Sequence, residues 1–225
     1  MTRVKICGVT TLDDALRCAK AGADLLGLNF YPPSPRYLPL ERARLIAAGL
    51  RSILGADRPL LVGVFVNAET AAIIRAFEEV GLDAAQLSGD EPAETLAALD
   101  GRAFKALRPR DAAAALDTAR LFAAHAPHDE RLPALLVDAY HPQLYGGTGE
   151  TAGEDVARAA LSAAPRVMLA GGLTPANVAG RVRALQPWGV DVASGVERAP
   201  GIKDVALVRA FIAVVKSVDQ GMESS

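Results

Sequence analysis

Two side chains in the sequence combine reactive chemistry with a strand-like setting. Cys7 lies in the short run V-K-I-C-G-V-T, and Asp138 lies in A-L-L-V-D-A-Y. Runs rich in β-branched and other apolar residues are typical of β-strands. A thiolate can accept a proton, and a carboxylic acid kept neutral by burial can donate one. The two residues therefore predict acid–base chemistry, provided that the fold brings them together.

Cys7 has a cationic neighbour on its own face of the strand. Because side chains alternate along a strand, Lys5 and Cys7 share one face, whereas Val4 and Ile6 share the other. A nearby ammonium favours the thiolate, so we expect Lys5 to lower the pKa of Cys7 and make it a usable base. The alternative is a buried, inert thiol, since free cysteine is often buried. For Cys18, in the middle of a helix, that structural role is expected.

Asp138 is a carboxylate within an apolar strand, which costs free energy unless the group is hydrogen-bonded or functional. Alternation places Leu136, Asp138 and Tyr140 on the face opposite Val137. We expect this face to point into the site, where burial would raise the pKa of Asp138 and let it act as a general acid. The alternative is a structural aspartate that caps backbone amides of the following loop.

The elements that must position these groups repeat along the chain. Ala-, Leu- and Arg-rich segments with helical spacing separate eight apolar runs, at 4–9, 25–30, 60–66, 84–87, 103–107, 134–140, 166–171 and 190–195. Strands that alternate with helices predict a parallel sheet, and eight such units close into a barrel. An open doubly wound sheet is the alternative, but no G-x-G-x-x-G follows the first run. We therefore expect an α/β fold, a single (βα)8 TIM-barrel domain over residues 1–225 with a frayed tail after about residue 217.

Local signals predict several helix boundaries. Thr11, Asn67 and Thr174–Pro175 are expected to start helices, because a side-chain oxygen can cap free amide groups and proline fits the first turn. Gly22 and Gly81 are expected to end helices, since the left-handed conformation common at that position suits glycine.

In a barrel of this type the active site lies at the carboxyl ends of the strands. Two glycine-containing strand ends, L-A-G-G-L-T-P at 169–175 and V-A-S-G-V-E at 192–197, together predict a phosphate site built from backbone amides. Each alone could be a plain tight turn.

Arg36, in the Pro-rich loop Y-P-P-S-P-R-Y-L-P, is a candidate clamp for a carboxylate, with a solvated surface arginine as the alternative.

The composition argues against several classes of partner. A formal net charge of −2 gives no reason to expect nucleic acid or an anionic membrane. No run of about 18 apolar residues occurs, and the start M-T-R-V-K-I-C lacks the core of a signal peptide. The two cysteines are expected to be free thiols, and the protein to be cytoplasmic. None of the three histidines lies in a recognised metal spacing, so no metal site is expected.

A series of motifs spans the chain from Val4 to about Lys216: K-I-C-G-V-T, F-Y-P-P-S-P-R-Y, G-V-F-V-N, L-V-D-A-Y, G-G-T-G, L-A-G-G-L-T-P-x-N-V and V-D-V-A-S-G-V-E-x-x-P-G-x-K-D. In this order they closely resemble the phosphoribosylanthranilate isomerase family. The resemblance implies a (βα)8 barrel, monomeric or homodimeric, that works on a small-molecule substrate without metal or organic cofactor. The implied reaction is an aldose–ketose isomerisation in tryptophan biosynthesis. It is the Amadori rearrangement of N-(5-phosphoribosyl)anthranilate to 1-(o-carboxyphenylamino)-1-deoxyribulose 5-phosphate.

The resemblance also implies a role for each candidate residue. Cys7 resembles the general base that takes the proton from ribose C2, and Asp138 resembles the general acid that protonates the departing ring oxygen. Arg36 resembles the clamp for the anthranilate carboxylate. The residues that resemble the phosphate site are Gly171, Gly172, Ser194 and Gly195.

Three departures from the family pattern concern the surroundings of the site. Ser88 stands in Q-L-S-G where the family usually has histidine, and Ala193 stands where the family usually has the first serine of Ser-Ser-Gly. The aromatic and acidic residues often found after G-G-T-G, which ends at Gly149, are replaced by E-T-A-G-E-D. None of these changes touches the expected acid or base, so we expect them to affect loop closure and substrate affinity only.

Two other functions fit part of the same pattern. Another phosphosugar barrel enzyme is one alternative. An epimerase of this fold would generally need a metal, and a Schiff-base lyase would need an activated lysine, for which Lys5 and Lys105 are candidates. A non-catalytic binder of phosphate ligands would need neither Cys7 nor Asp138.

Overall fold

The protein contains a closed barrel of parallel strands, each followed by a helix. A computed structural model describes residues 1–138 and 153–223. The barrel strands are β1 (Arg3–Cys7), β2 (Leu25–Asn29), β3 (Leu60–Phe65), β4 (Ala84–Leu87), β5 (Ala103–Leu107), β6 (Leu135–Val137), β7 (Val167–Leu169) and β8 (Gly189–Val192). Each strand pairs with the next, and β8 pairs in parallel with β1 to close the sheet. The predicted barrel is confirmed, and the open doubly wound sheet is wrong.

The helices of the described ranges are α1 (Leu12–Ala21), α2 (Leu40–Leu54), α3 (Thr70–Val80), α4 (Ala93–Ala98), α5 (Ala112–Ala123), α6 (Glu154–Ala163), α7 (Val178–Leu185) and α8 (Val205–Glu223). A 3-10 turn at Ser194–Val196 and an antiparallel hairpin, β9 (Glu197–Ala199) and β10 (Ile202–Lys203), separate β8 from α8. Strands this short have no detectable periodicity, so the sequence does not predict the hairpin. None of the helices in the described ranges has the length and apolar character needed to cross a membrane.

Three predicted helix boundaries are confirmed, each by a local contact. The Thr11 hydroxyl accepts the amide N–H of Asp14 at 3.1 Å and so caps the start of α1. Gly22, with φ 98°, ends α1, and Gly81, with φ 72°, ends α3. Both glycines adopt the left-handed conformation that other residues avoid.

Two predicted helix starts lie too early in the chain. α3 begins three residues after Asn67, whose side-chain oxygen accepts the amide N–H of Asp90 at 2.7 Å instead. α7 begins at Val178 rather than at Thr174–Pro175, because residues 175–177 form a turn before the helix.

The expected fraying of the tail after residue 217 is wrong for residues 218–223, which form the last part of α8. Val218 and Asp219 are both buried there. The Asp219 carboxylate accepts the amide N–H of Thr2 at 2.6 Å and its hydroxyl at 2.7 Å. These bonds fasten the last helix to the beginning of the chain.

The barrel interior combines an apolar cluster with a buried charged pair. The cluster consists of Leu25, Val62, Ala84, Phe104, Ala106, Leu132, Leu136, Met168 and Ala170. On the β1–β8 side, Lys5 is fully buried and donates to the Asp191 carboxylate at 2.9 Å. The two residues lie opposite each other in the β1–β8 pairing. Removing one partner of such a pair typically costs about 3–5 kcal/mol, so each charge depends on the other.

Gly27 in β2 leaves the space that Cys7, its pairing partner on β1, occupies. A Cβ at Gly27 would lie 2.7 Å from the Cys7 Sγ and 3.2 Å from the Lys5 Nζ. We expect Gly27→Ala to lower the free energy of unfolding by about 1–3 kcal/mol, the usual cost of overpacking an interior.

Gly180→Ala in α7 is the matched control, because a Cβ there meets no atom within 4 Å. Alanine should stabilise this helix by about 0.5–1 kcal/mol relative to glycine. Urea denaturation followed by circular dichroism measures both variants. Undiminished stability of Gly27→Ala would contradict the close fit of β1 against β2.

Candidate active site

One pocket at the carboxyl ends of the strands contains three of the residues singled out in the sequence. Cys7 ends β1, Arg36 lies in the loop after β2, and Asp138 directly follows β6. All three line the pocket. Its other polar lining residues are Asn29, Ser34, Gln86, Ser88, Arg108 and Asp191.

The Cys7 thiol is almost buried, with 9% of the residue exposed. Burial raises the pKa of Cys7, and the nearby Asp191 carboxylate adds to the rise. The charges of Lys5 and Lys203 act in the opposite direction but do not outweigh burial. Lys5 therefore has the expected influence, whereas the expected net fall in the Cys7 pKa is wrong. The protonated thiol is the main form at neutral pH.

Both lysines considered for a Schiff base are held by carboxylates. Burial lowers the pKa of Lys5, but the Asp191 carboxylate raises it and the net shift is upward, so Lys5 stays protonated. Lys105 is also buried, which lowers its pKa. Its Nζ donates to the Glu91 carboxylate and to the Gly89 carbonyl, both at 2.6 Å. Neither amine lines the pocket, which disfavours the lyase alternative.

Asp138 is half-buried at the pocket. Leu136 belongs to the interior cluster, whereas Val137 packs in the layer between strands and helices. Alternation therefore directs Asp138 to the interior side of the sheet, as the sequence predicts. Tyr140, which is expected on the same face, lies outside the described residues, and so does the G-G-T-G segment at 146–149.

The Pro-rich loop after β2 is folded back on itself around Arg36. The Ser34 hydroxyl accepts the Arg36 amide N–H at 3.1 Å, and the Leu38 amide N–H donates to the Asn29 carbonyl at 2.8 Å. The guanidinium donates to the Glu197 carboxylate, from Nε to Oε1 at 3.0 Å and from Nη2 to Oε2 at 2.7 Å. With 14% of its side chain exposed, Arg36 is not a solvated surface residue. In the described part of the chain its Nη1 has no partner, which leaves that nitrogen for a ligand.

The glycine loop after β7 is built around two left-handed residues. Gly171 has φ 85° and Gly172 has φ 56°. The Asn177 side chain donates to the Gly172 carbonyl at 2.9 Å and thereby holds the loop in place.

The loop after β8 packs directly on the loop after β7. Ser194 begins the 3-10 turn and is exposed. A Cβ on Gly195 would collide with the Leu173 carbonyl oxygen, so only glycine permits this approach. Within the described residues, the amide N–H groups of Gly172 and Gly195 are bonded to no protein group. Free amides from two adjoining loops are suited to bind an anion.

Several polar residues of this region are not predicted from the sequence. Gln86 donates through Nε2 to the Ser88 hydroxyl at 3.0 Å, and its buried Oε1 is unpaired within the described chain. A polar residue inside an apolar strand, as in A-A-Q-L or V-D-V, is the signal that could have found Gln86 and Asp191. Glu197 and Lys203 lie outside the barrel strands; both occur in the motif V-D-V-A-S-G-V-E-x-x-P-G-x-K-D, but the sequence gives neither a role.

Residues 1–138 and 153–223 contain no group of three or more His, Cys, Asp or Glu side chains that could hold a metal ion. The groups that the pocket and the adjoining loops offer a ligand include guanidinium groups, amide N–H groups, a thiol and carboxylates. They are suited to an organic molecule that carries both a carboxylate and a phosphate.

Comparison with known proteins gives a consistent result over the whole chain. A family model described as N-(5'-phosphoribosyl)anthranilate (PRA) isomerase matches residues 4–214. The N-(5'-phosphoribosyl)anthranilate isomerase of Geobacter metallireducens is 46% identical over 217 residues, which are 96% of this chain and 100% of the relative. That of Myxococcus xanthus is 48% identical over 223 residues and covers 96% of this chain and 97% of the relative.

Solved structures agree with the sequence comparison. Phosphoribosyl anthranilate isomerase from Thermotoga maritima has a TM-score of 0.83 at 34% identity, over 96% of this chain and 100% of the other. A phosphoribosyl anthranilate isomerase in complex with reduced 1-(o-carboxyphenylamino)-1-deoxyribulose 5-phosphate has a TM-score of 0.78 at 33% identity, with the same coverage.

The surroundings of Cys7 predict how its reactivity depends on pH. Only the thiolate is alkylated by iodoacetamide, and burial raises the pKa of Cys7. We therefore expect the alkylation rate to be low at neutral pH and to rise with a midpoint above the ordinary thiol value of about 8.5. Cys18, whose pKa burial raises to about 12, should react far more slowly.

Mass spectrometry of the alkylated peptides separates the two thiols, and Cys7→Ser identifies the signal of Cys7. A midpoint below that of a free cysteine peptide would mean that Lys5 and Lys203 outweigh burial.

Proposed function

The chain belongs to the N-(5'-phosphoribosyl)anthranilate isomerase family, and on this premise we propose that Cys7 and Asp138 move the protons of its reaction. The enzyme converts N-(5-phosphoribosyl)anthranilate to 1-(o-carboxyphenylamino)-1-deoxyribulose 5-phosphate in tryptophan biosynthesis. The observation that best supports these roles is that one pocket at the strand ends is lined by Cys7, Asp138 and Arg36 together.

In the first step, Asp138 acts on the ribose ring. It donates a proton to the ring oxygen, the bond between that oxygen and C1 breaks, and the lone pair of the anilino nitrogen forms a C1–N double bond. A positioned acid is needed because an alkoxide is a poor leaving group. Proton transfer by a positioned group contributes about 10²–10⁴-fold to the rate.

In the second step, Cys7 acts as the base at C2. Its thiolate removes the C2 proton, the electron pair forms a C1–C2 double bond, and the C1–N pair returns to nitrogen. Conversion of the resulting enol to the ketone adds a proton at C1. C2 is oxidised and C1 reduced within one molecule, so the step is balanced without a further reactant. The raised pKa of Cys7 makes its thiolate scarcer at neutral pH but more basic.

The two anionic ends of the substrate fit two separate cationic or N–H-rich regions. We assign the anthranilate carboxylate to Arg36, whose Nη1 faces no protein partner in the described residues. We assign the phosphate to the adjoining loops that contain Gly171, Gly172, Ser194 and Gly195. Fixing both ends restrains the ribose between the acid and the base, which is the orientation that proton transfer needs.

We further propose a cytoplasmic location and a monomeric or homodimeric state. Both cysteines are free thiols, as is usual in a reducing compartment. A structural relative from Thermotoga maritima is described as a dimeric enzyme from which monomers were generated. Sedimentation equilibrium distinguishes the two states.

Substitution of the acid and the base tests the proposed roles. We expect Cys7→Ser and Asp138→Asn each to lower kcat by about 10²–10⁴-fold, because each removes one proton-transfer group. The rate is followed as the loss of substrate fluorescence after N-(5-phosphoribosyl)anthranilate is generated in the assay.

Two controls alter a thiol and a carboxylate outside the pocket. Cys18→Ala removes the thiol of α1, and Asp117→Asn neutralises an exposed carboxylate of α5, so both should retain wild-type kcat. Near-normal turnover by Cys7→Ser or Asp138→Asn would overturn the role of that residue. A wild-type protein that binds the substrate and leaves it unchanged would favour the non-catalytic binder.

A further inference from the structure

Two charged residues of the β9–β10 hairpin lie between the elements of the pocket. The side chains of Glu197 and Lys203 are 4% and 1% exposed, and the carboxylate and the ammonium are 2.7 Å apart. Neither residue lines the pocket. Their hydrogen bonds nevertheless reach three residues that do line it: Arg36, Cys7 and Ala193.

Glu197 holds the guanidinium of Arg36 by one edge. Its two carboxylate oxygens accept Nε and Nη2, while Oε1 also accepts the Lys203 Nζ. Burial raises the pKa of Glu197, but Arg36 and Lys203 lower it by more, so the group remains a carboxylate. The edge formed by Nη1 and the second Nη2 hydrogen is left for a ligand.

Lys203 connects the same cluster to the ends of β1 and β8. Its Nζ donates to the Cys7 carbonyl at 2.5 Å and to the Ala193 carbonyl at 3.2 Å. Cys7 is the expected base, and Ala193 directly precedes the loop of Ser194. One ammonium thus contacts the backbone of both.

The hairpin that carries the pair is fastened to the β1 side of the barrel. Gly201, with φ 78°, lies between the two strands, and its carbonyl accepts the Thr10 hydroxyl at 2.6 Å. Its amide N–H donates to Glu197 at 3.3 Å. The hairpin therefore has a defined position relative to the loop that follows Cys7.

We propose that Glu197 and Lys203 are positioning residues for recognition of the substrate carboxylate, an inference that rests on the role proposed above for Arg36. Glu197 selects which edge of the guanidinium faces the substrate. Lys203 supplies the charge that keeps this site cationic. Neither residue touches the substrate.

Glu197 matters for geometry because the arginine side chain is flexible. A free arginine side chain loses rotamer freedom when it binds a carboxylate, which weakens binding. Glu197 already fixes the guanidinium in the free enzyme. The rotamer freedom of Arg36 is therefore lost on folding and not on binding. A bidentate contact also depends on orientation, and the occupied edge leaves only one orientation for the ligand.

The electrostatic part follows from the sum of the charges. Arg36 and Glu197 alone are a neutral pair, which would attract a carboxylate only weakly. With Lys203, the three side chains carry a net charge of +1. The buried Asp14 carboxylate accepts the Lys203 backbone N–H at 3.3 Å but makes no ion pair with its ammonium in the described residues. The cluster is largely buried, so screening by solvent is weak and the extra charge acts on a ligand at Arg36.

The test uses two ligands that differ only in the carboxyl group. They are reduced 1-(o-carboxyphenylamino)-1-deoxyribulose 5-phosphate and the same compound without the carboxyl on the ring. Glu197→Asp keeps every charge but shortens the side chain by one methylene, so it cannot hold the guanidinium in the same way. We expect its Kd for the carboxylated ligand to rise about 10-fold or more, and its Kd for the other ligand to change less than about 2-fold.

Lys203→Met should also weaken binding of the carboxylated ligand selectively, because it removes the positive charge. Glu154→Asp is the matched control for Glu197→Asp. Glu154 makes an exposed ion pair with Arg158 on α6, and shortening it should alter neither Kd. In turnover, Glu197→Asp should raise KM by a larger factor than it lowers kcat. In an Arg36→Met background, Glu197→Asp should cause no further loss for the carboxylated ligand.

The outcomes separate this proposal from the function on which it rests. If Arg36→Met weakens binding of the carboxylated ligand and Glu197→Asp does not, the positioning role of Glu197 is overturned, but the role of Arg36 as the carboxylate clamp stands. Equal losses for both ligands in Glu197→Asp would show general structural support, which also overturns the proposal. If Arg36→Met leaves the Kd for the carboxylated ligand unchanged, both the role of Arg36 as a clamp and its positioning by Glu197 are wrong. A selective loss that disappears in the Arg36→Met background supports the proposal.

Discussion

Pairing of β1 with β8 is the constraint on which both the fold and the pocket depend. It closes the sheet and sets Lys5 opposite Asp191 in the interior. It also brings the ends of the two strands together, so that the carbonyl groups of Cys7 and Ala193 share the ammonium of Lys203. Because every barrel strand is parallel, all the carboxyl ends lie on one rim. Residues from separate parts of the chain therefore share one pocket.

The charged groups around the pocket bear on the role proposed for the buried thiol of Cys7. The buried lysines each have a carboxylate partner: Lys5 with Asp191, Lys105 with Glu91 and Lys203 with Glu197. Removing an ion from water costs several kcal/mol, so such groups are stable in the interior only when paired. A thiol is neutral when protonated and needs no counterion. Burial consequently stabilises the thiol form of Cys7, and the thiolate that forms from it is correspondingly more basic, which suits the role proposed for it in removing a proton from carbon.

The sequence predicts those parts of the structure that depend on neighbouring residues. An apolar run such as Leu60–Phe65 reads as a strand by itself, and Thr11 caps a helix through an amide three positions away. The helix start predicted at Asn67 is wrong because the partner of its side chain, Asp90, belongs to another loop. Cys7 and Asp138 stand out as polar groups at strand ends, whereas the role of Glu197 depends on a contact with Arg36 that spans 161 residues and that no local pattern predicts. The direction of the Cys7 pKa shift is likewise decided by burial, which only the closed barrel creates.

The span of these contacts also determines when the molecule can fold. Asp219 holds Thr2 across 217 residues, and Asp191 holds Lys5 across 186. As the chain leaves the ribosome, its first strand carries a lysine whose counterion has not yet been synthesised. Contacts this distant slow folding, because the entropy of closing the loop is lost before the contact forms. Until β8 emerges, the barrel has two open strand edges, and those edges are the surfaces most able to pair with another nascent chain.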